Sequence, residues 1–289
     1  MPSLVHRSAT SADIPAAARL FVESVRDLAL RNGLPDHAPS AESIEPWYQH
    51  LRETGLFEVA MEGDTLLSFA AGIVRDDLFF LSMFWTKPGR QGQGIGGPLL
   101  DRVWAQAEER GAAVFSVWSS IDFAALGTYL KRGMRPIGPV LTFGGTPKAL
   151  EDILPAEVVP LDAAIASNVD QAVRGTARPV DHAFFMKEKS VARLVCRGAQ
   201  TLGYFYAHEG RVGPAAWLDE RDARAVLGAA VREAALQTKS ITLSIPGPNR
   251  LALDLAVDAG LRIEGSSHLL TSDLFGAIER YIPSGPALF

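Results

Sequence analysis

Residues 86–100 read Thr86-Lys-Pro-Gly-Arg-Gln-Gly-Gln-Gly-Ile-Gly-Gly-Pro-Leu-Leu100, between an aromatic run and an amphipathic segment. The run before them, Phe79 to Trp85, is short and apolar and is closed by Pro88 and Gly89, which predicts a buried strand. After the glycines, Leu99, Leu100, Val103, Trp104 and Ala107 recur at helical spacing and define one apolar face. The first N–H groups of a helix have no intrahelical partner, and its N-terminus carries positive partial charge, so an anion is stabilised there. Gly92, Gly94, Gly96 and Gly97 lack a Cβ, so this backbone can adopt φ > 0 and approach a ligand closely. Pro98 is tolerated in a first helical turn, which places the helix start near Gly94 to Gly96. Strand, glycine loop and helix start together predict a site for a large phosphate-bearing ligand.

Three loop types compete for the stretch. Gly92-Gln-Gly94-Ile-Gly96-Gly97 satisfies G-x-G-x-x-G, the dinucleotide fingerprint. That fingerprint should follow its strand almost directly, with an acid at the end of the next strand. Here Thr86 to Gln91 intervene, and the nearest suitable acid, Asp122, is late. A phosphate loop of the G-x-x-x-x-G-K-[ST] type is excluded, because no Gly-Lys-Ser/Thr follows. A glycine-rich turn without any ligand would share the composition. Gln91, Gly94 and Gly96, with their neighbours Gly92, Gln93, Ile95 and Gly97, fit Arg/Gln-x-x-Gly-x-Gly/Ala, and this resembles the pyrophosphate loop of the GCN5-related N-acetyltransferases.

The resemblance extends over about residues 4 to 145. A strand over Ala112 to Trp118 is followed by Asp122-Phe-Ala-Ala125-Leu-Gly-Thr-Tyr129-Leu-Lys-Arg-Gly133-Met134, similar to the family's Asn-x-x-Ala-x-x-x-Tyr-x-x-x-Gly-Phe. Asp122 replaces the usual Asn, and Met134 the usual Phe. Gly133 is placed as a helix C-cap, with Lys131 and Arg132 in the last turn. Upstream, Arg7 to Pro15 resembles the family's first strand and helix start. Asp13 is the expected N-cap, and Ile14, Leu20 and Phe21 the buried side. Phe57 to Glu62 and Leu66 to Val74 are expected to pair as a hairpin.

Acetyl transfer from a thioester to an amine needs an anion site, a donor for the thioester oxygen, a proton acceptor and a proton donor for the thiolate. The loop supplies the first, with Lys87, Arg90, Lys131 and Arg132 as supplements. The resemblance implies a backbone N–H in a bulged fourth strand as the oxygen donor, within Met83 to Trp85 and centred on Phe84. Met83, Trp85, Thr86, Asp122 and Arg132 are then expected beside the cofactor. Tyr129 stands where the family places its general acid, and a phenol with pKa near 10 is protonated at pH 7. A lone helix tyrosine can equally be packing its ring. For the base and the acceptor site, Glu58, Asp76, Asp77 and Asp122 are candidates; each can equally be a solvated surface acid.

The second half repeats the first. Asn249-Arg-Leu-Ala252-Leu-Asp-Leu-Ala256-Val-Asp-Ala-Gly260-Leu261 has the spacing of Asp122 to Met134 and follows a strand over Ser240 to Ile245. Thr201 to Tyr206 and Val212 to Leu218 are expected as a hairpin, followed by Asp219-Glu-Arg-Asp222 and a helix with Ala225, Val226, Ala229 and Ala230. Repetition at this scale reads as two domains of one fold, residues 1–146 and 147–289, with the break at Gly144 to Pro147 before an amphipathic segment, Lys148 to Leu154. The copies differ where the chemistry lies. Acids replace the glycine loop, where they would repel a pyrophosphate, and Ala256 replaces the tyrosine. The second copy is therefore expected to lack a CoA site. Arg178, Asp181, His182, Tyr204 and Tyr206 are its candidate pocket residues, Arg178 and His182 above all; all can equally be ordinary surface or interface residues. The arrangement resembles bacterial tandem acetyltransferases, with a short final strand near Tyr281 to Phe289.

Composition excludes other classes. The six histidines form no H-x-H or HExxH cluster, and the single cysteine, Cys196, provides no disulfide framework, so no metal is expected and a reducing cytosol suits the chain. G-x-S-x-G is absent. The start has no apolar leader, and no run approaches membrane-spanning length. A net charge of −5 without a basic cluster argues against nucleic acid or anionic membrane. The fold expected is α/β in the α+β sense: two tandem domains, each a mixed, mostly antiparallel sheet flanked by helices. The activity expected is transfer from acetyl-CoA to a small-molecule or peptide amine by direct attack in a ternary complex. A CoA-binding regulatory protein without turnover and, more weakly, a nicotinamide-dependent oxidoreductase are the rival readings. Monomer and homodimer stay open.

Overall fold

The computed structural model describes residues 3–150 and 155–289, so the segment read over 148–154 lies mostly outside the described residues. Contacts divide the chain into two compact units, Met1–Ala113 and Val114–Phe289.

In the first unit the order is β1 (Leu4–Ser8), α1 (Ile14–Arg31), α2 (Ala41–Thr54), β2 (Leu56–Glu62), β3 (Thr65–Arg75), β4 (Leu78–Thr86) and α3 (Gly97–Glu109). β1 to β4 pair antiparallel, each with the next. The β2–β3 hairpin turns across Gly63 and Asp64, where Gly63 takes φ +59°, a left-handed conformation open to glycine without penalty. Side chains alternate across the sheet. Phe57, Phe69 and Trp85 pack with Phe21 of α1 and Tyr48 of α2, while Glu58 and Phe79 face α3 through Arg102 and Trp104. Asp13 does not cap α1 with its side chain. Its carboxylate instead accepts from the Thr10 N–H and hydroxyl and pairs with Arg7 at 2.8 Å, because the turn before α1 presents those donors first. The Arg7 guanidinium holds Asp13 well below the usual carboxylate range.

The second unit contains β5 (Val114–Ser119), α4 (Phe123–Lys131), β6 (Arg135–Gly145), β7 (Glu157–Pro160), α5 (Ala163–Arg174), α6 (Pro179–Glu188), β8 (Val191–Arg197), β9 (Gln200–His208), β10 (Arg211–Trp217), α7 (Ala223–Gln237), β11 (Ile241–Pro246), α8 (Arg250–Asp258), β12 (Arg262–Thr271) and β13 (Tyr281–Ile282). Strand order is β5-β12-β6-β11-β10-β9-β8-β7, with β13 on β10. From β1 to β6 and from β7 to β12 the chain runs through the same sequence, β-α-α-β-β-β-α-β-α-β. The final strands are exchanged: β6 lies against β11 and β12 against β5, and β6 and β12 also pair with each other. Contacts therefore place β5, α4 and β6 in the second unit, whereas the repeat in the sequence turns over near 146/147. The core of this unit gathers Phe205, Ala207, Trp217, Leu243 and Ile245 against the apolar side of α7.

Candidate functional site

β4 is irregular at the point that matters. Met83 stands opposite Ala71 and Leu81 opposite Gly72, so Ser82 is an extra residue, a β-bulge that re-aims the strand before Met83–Trp85. The Ser82 hydroxyl is buried without a hydrogen-bond partner among the described residues. Past β4 the chain makes a loop over 87–96 and enters α3 at Gly97, slightly later than the sequence placed it, because Gly92 and Gly94 hold left-handed φ of +76° and +78°.

The loop is pinned from several sides. Ile95 is buried, and the Ile95 carbonyl lies 3.2 Å from His6 Nε2 on β1. Gln91 Nε2 donates to the Thr86 carbonyl at 3.2 Å, Gln93 Nε2 to the Gly89 carbonyl at 3.2 Å, and Arg90 reaches Glu62 at 3.3 Å. Thr86 Oγ1 shares a 2.9 Å bond with Ser68. Gly96 lies under the Phe84 ring, so only glycine fits there without moving a side chain. By contrast, a Cβ at Gly92, Gly94 or Gly97 would meet nothing within 4 Å. The first bond of the helix runs from Leu100 N to Gly96 O at 3.1 Å, so the N–H groups of Gly96, Gly97 and Leu99 have no partner within the helix. Open space at a glycine-lined helix start fits a phosphate-bearing ligand. The dinucleotide alternative fits poorly: the intervening loop is long, and β4 is antiparallel to β3. His6 carried no sequence signal beyond its alternation in β1.

α4 is capped at its start by Asp122, a role the sequence reading did not assign. Asp122 Oδ1 accepts from Ala124 N at 2.8 Å and Ala125 N at 3.1 Å. At the other end, Arg132 is the C-cap, and Gly133, at φ +83°, lets Met134 N reach the Tyr129 carbonyl. Tyr129 is 4% exposed. Burial, reinforced by Asp122 and opposed by Arg132, pushes this phenol well above 10.

Two acids expected near the acceptor lie elsewhere. Glu58 is 1% exposed rather than solvated, and accepts from Ser8 Oγ at 2.6 Å, Arg102 Nε at 2.7 Å and Gln106 Nε2 at 3.0 Å. Asp76 occupies the exposed β3–β4 turn at φ +52°, at the end of β4 opposite the glycine loop.

Residues 22–134 match the model of the acetyltransferase (GNAT) family. The chain carries a GNAT acetyltransferase domain. No curated protein matches it significantly. A Pyrococcus horikoshii protein proposed as an acetyltransferase has a similar structure, with TM-score 0.80 and 17% identity over 100% of this chain and 97% of that one. A GCN5-related N-acetyltransferase from Sphaerobacter thermophilus gives TM-score 0.65 at 16% identity, over 93% and 95% of the two chains. A tandem GNAT protein from the clavulanic acid biosynthesis pathway gives 0.62 at 12% identity, over 93% and 98%. At such identities the likeness concerns the fold, here two GNAT-like folds in tandem.

The second GNAT-like repeat repeats the geometry without the chemistry. Asn249 caps α8 by accepting from Ala252 N at 3.1 Å, and Leu261 N bonds the Ala256 carbonyl just as Met134 N bonds that of Tyr129. Where the GNAT domain has its loop, Asp219 accepts from Arg221 N at 2.9 Å and Asp222 pairs with Arg197 at 3.0 Å. Arg178, Asp181, His182, Tyr204 and Tyr206 are neither surface nor interface residues; all are fully buried. Asp170, which carried no motif, gathers three of them: its Oδ2 lies 2.5 Å from Arg178 Nε and 2.9 Å from His182 Nε2, and its Oδ1 accepts from Tyr204 Oη at 2.5 Å. Burial pushes the Asp170 carboxyl up, but Arg178, His182 and Arg174 outweigh it and hold it ionised. Among the described residues no helix is long and apolar enough to cross a membrane.

Proposed function

We propose that the chain is an acyl-CoA-dependent N-acetyltransferase that moves the acetyl group of acetyl-CoA to a primary amine by direct attack in a ternary complex. The glycine-lined helix start, with open space where a Cβ of Gly92, Gly94 or Gly97 would be, carries this reading. A pyrophosphate is the part of acetyl-CoA such a helix start stabilises, with Gln91, Gln93, Ile95 and Gly96 around it and Met83, Trp85 and Thr86 along the remainder. The bulge at Ser82 supports Phe84 N–H as the donor to the thioester oxygen, where negative charge develops.

The amine attacks as the neutral base. Its nitrogen bonds to the thioester carbon, the C–S bond breaks, and the electron pair leaves on sulfur. Tyr129 gives its phenolic proton to that sulfur, and the proton lost by the attacking nitrogen restores the phenol through water. A phenol held above 10 stays protonated at every working pH, which suits a donor. Residues 1–146 form the acetyl-CoA-binding domain in this reading. Residues 147–289 have no cofactor site, since Asp219 and Asp222 oppose a pyrophosphate and Ala256 has no proton to give. A single cysteine suits a reducing cytosol.

Calorimetry with acetyl-CoA and with NADH is the first test, and NADH binding without acetyl-CoA binding would overturn the proposal. A screen of amines read by free thiol comes next; binding without thiol release across the panel would leave a regulatory CoA-binding protein.

A further inference from the structure

β10 has its own bulge, and beyond it the strand changes partners. Arg211 and Val212 pair with Thr242 and Leu243 of β11. Gly213 and Pro214 then interrupt the register, and Ala215 and Ala216 pair with Ile282 and Tyr281 of β13. Ala215 to Trp217 follow this bulge as Met83 to Trp85 follow Ser82 in β4. A strand edge turned away from its neighbour leaves unpaired N–H and C=O groups, which an extended chain satisfies. We propose that β10 beyond its bulge is a strand-binding groove whose ligand is an extended polypeptide, and that residues 281–289 are that ligand, held in cis.

The seat is built for the segment. A Cβ at Gly213 would collide with the Pro283 carbonyl, so the groove floor must be glycine. Asn249 Nδ2 donates to the Tyr281 carbonyl at 3.0 Å. Arg178 donates to Tyr281 Oη at 2.8 Å and to the Phe289 backbone oxygen at 2.9 Å, and Arg174 donates to the same oxygen at 2.8 Å. Both guanidinium groups lie over the Tyr281 ring, at 5.3 and 5.4 Å. Tyr281, Ile282, Leu288 and Phe289 are at most 1% exposed. At the seat Trp217 Nε1, Arg174 Nε and Ser284 Oγ are buried with no partner among the described residues. The repeat that lost the glycine loop thus keeps the bulged strand and uses it to hold peptide in place of a thioester.

A site-specific protease sequence inserted at Leu274, which is 77% exposed, allows the folded full-length chain to be nicked ahead of the segment. The cleaved fragment is expected to stay with the chain on gel filtration and to exchange with an excess of a fluorescent peptide of residues 277–289. A scrambled peptide should not enter. The same peptide with Tyr281→Phe should bind at least about tenfold more weakly, having lost a hydrogen bond to a charged donor. Unfolding on nicking would make the segment an integral core strand and overturn the proposal. So would departure of the fragment with the remainder unchanged, uptake of the scrambled peptide, or displacement of the fragment by acetyl-CoA.

Discussion

The ring of Phe84 rests on Gly96: a Cβ built at residue 96 would lie 2.8 Å from Phe84 Cζ and 3.1 Å from Thr86 Oγ1. The torsions of Gly96, φ −81° and ψ −28°, are open to any residue, so packing alone demands glycine here. Gly96→Ala should push the ring aside, cost about 1–3 kcal/mol in stability and weaken acetyl-CoA binding by about tenfold or more. Adding Phe84→Leu should recover most of the stability in thermal melts. Unchanged affinity of the single variant by calorimetry would show that strand and loop are not coupled.

Gly97 sits in the first turn of α3 with open space where its Cβ would be. Alanine there favours the helix by up to about 1 kcal/mol but projects a methyl group into the space assigned to phosphate. Gly97→Ala should therefore melt at the same temperature or higher while losing acetyl-CoA affinity. Gly94→Ala should lose both, since φ is +78° there. Full binding by the Gly97 variant would move the ligand elsewhere.

Tyr129→Phe removes a single oxygen and keeps the buried ring, so the fold should tolerate it to within about 1 kcal/mol. If the hydroxyl is the proton donor, kcat should fall by about 10²-fold or more with KM for acetyl-CoA little changed. Steady-state rates that match the parent across pH 7–9 would remove Tyr129 from the reaction.

All five tyrosines are buried, and burial pushes each phenol above its usual value of 10. Folded-state values above the unfolded one mean that the native chain holds these protons while the unfolded chain releases them. The stabilisation is complete below about pH 10 and is lost as pH rises beyond it. Tyrosinate absorbance should therefore stay near zero through about pH 10 and then rise in one step together with loss of circular dichroism. A gradual native-state titration centred near 10 would contradict the burial.

Asp170 is the counter-charge of a sealed cluster, with Arg178 and His182 fully buried beside it. Asp170→Asn should cost about 3–5 kcal/mol, because it leaves Arg178 buried without its carboxylate. Burial, aided by Arg178, holds His182 below its usual value, although Asp170 opposes this. The unfolded chain therefore takes up a proton near pH 6.5 that the folded chain refuses, and stability falls as pH drops through that value. The lowered Asp170 value adds a second loss below about pH 4. Urea midpoints measured from pH 8 to 3 check both steps, and a flat profile would contradict them.

Much of this molecule was legible in its sequence because the signals are local. The β4 run, the glycine loop and the glycine at 133 each act within a turn or two of chain, and each takes the local structure its chemistry implies. Asp13 did not, because a competing set of donors three to six residues away took its carboxylate. Glu58, Arg178 and His182 were misplaced for a longer-range reason. Their residue types look solvent-facing, and only partners 8 to 48 residues away neutralise them in the interior.

The sequence by itself determined the repeat, the glycine loop and the loss of loop and tyrosine in the second copy, since these are matters of residue type and spacing. Tertiary structure decided which residue forms each bulge, which repeat the strands β6 and β12 join, and what fills the edge of β10 beyond Pro214. Strand pairing is the physical reason. Every strand offers the same backbone donors and acceptors, so the partner it takes depends on the competition among all strands of the folded chain.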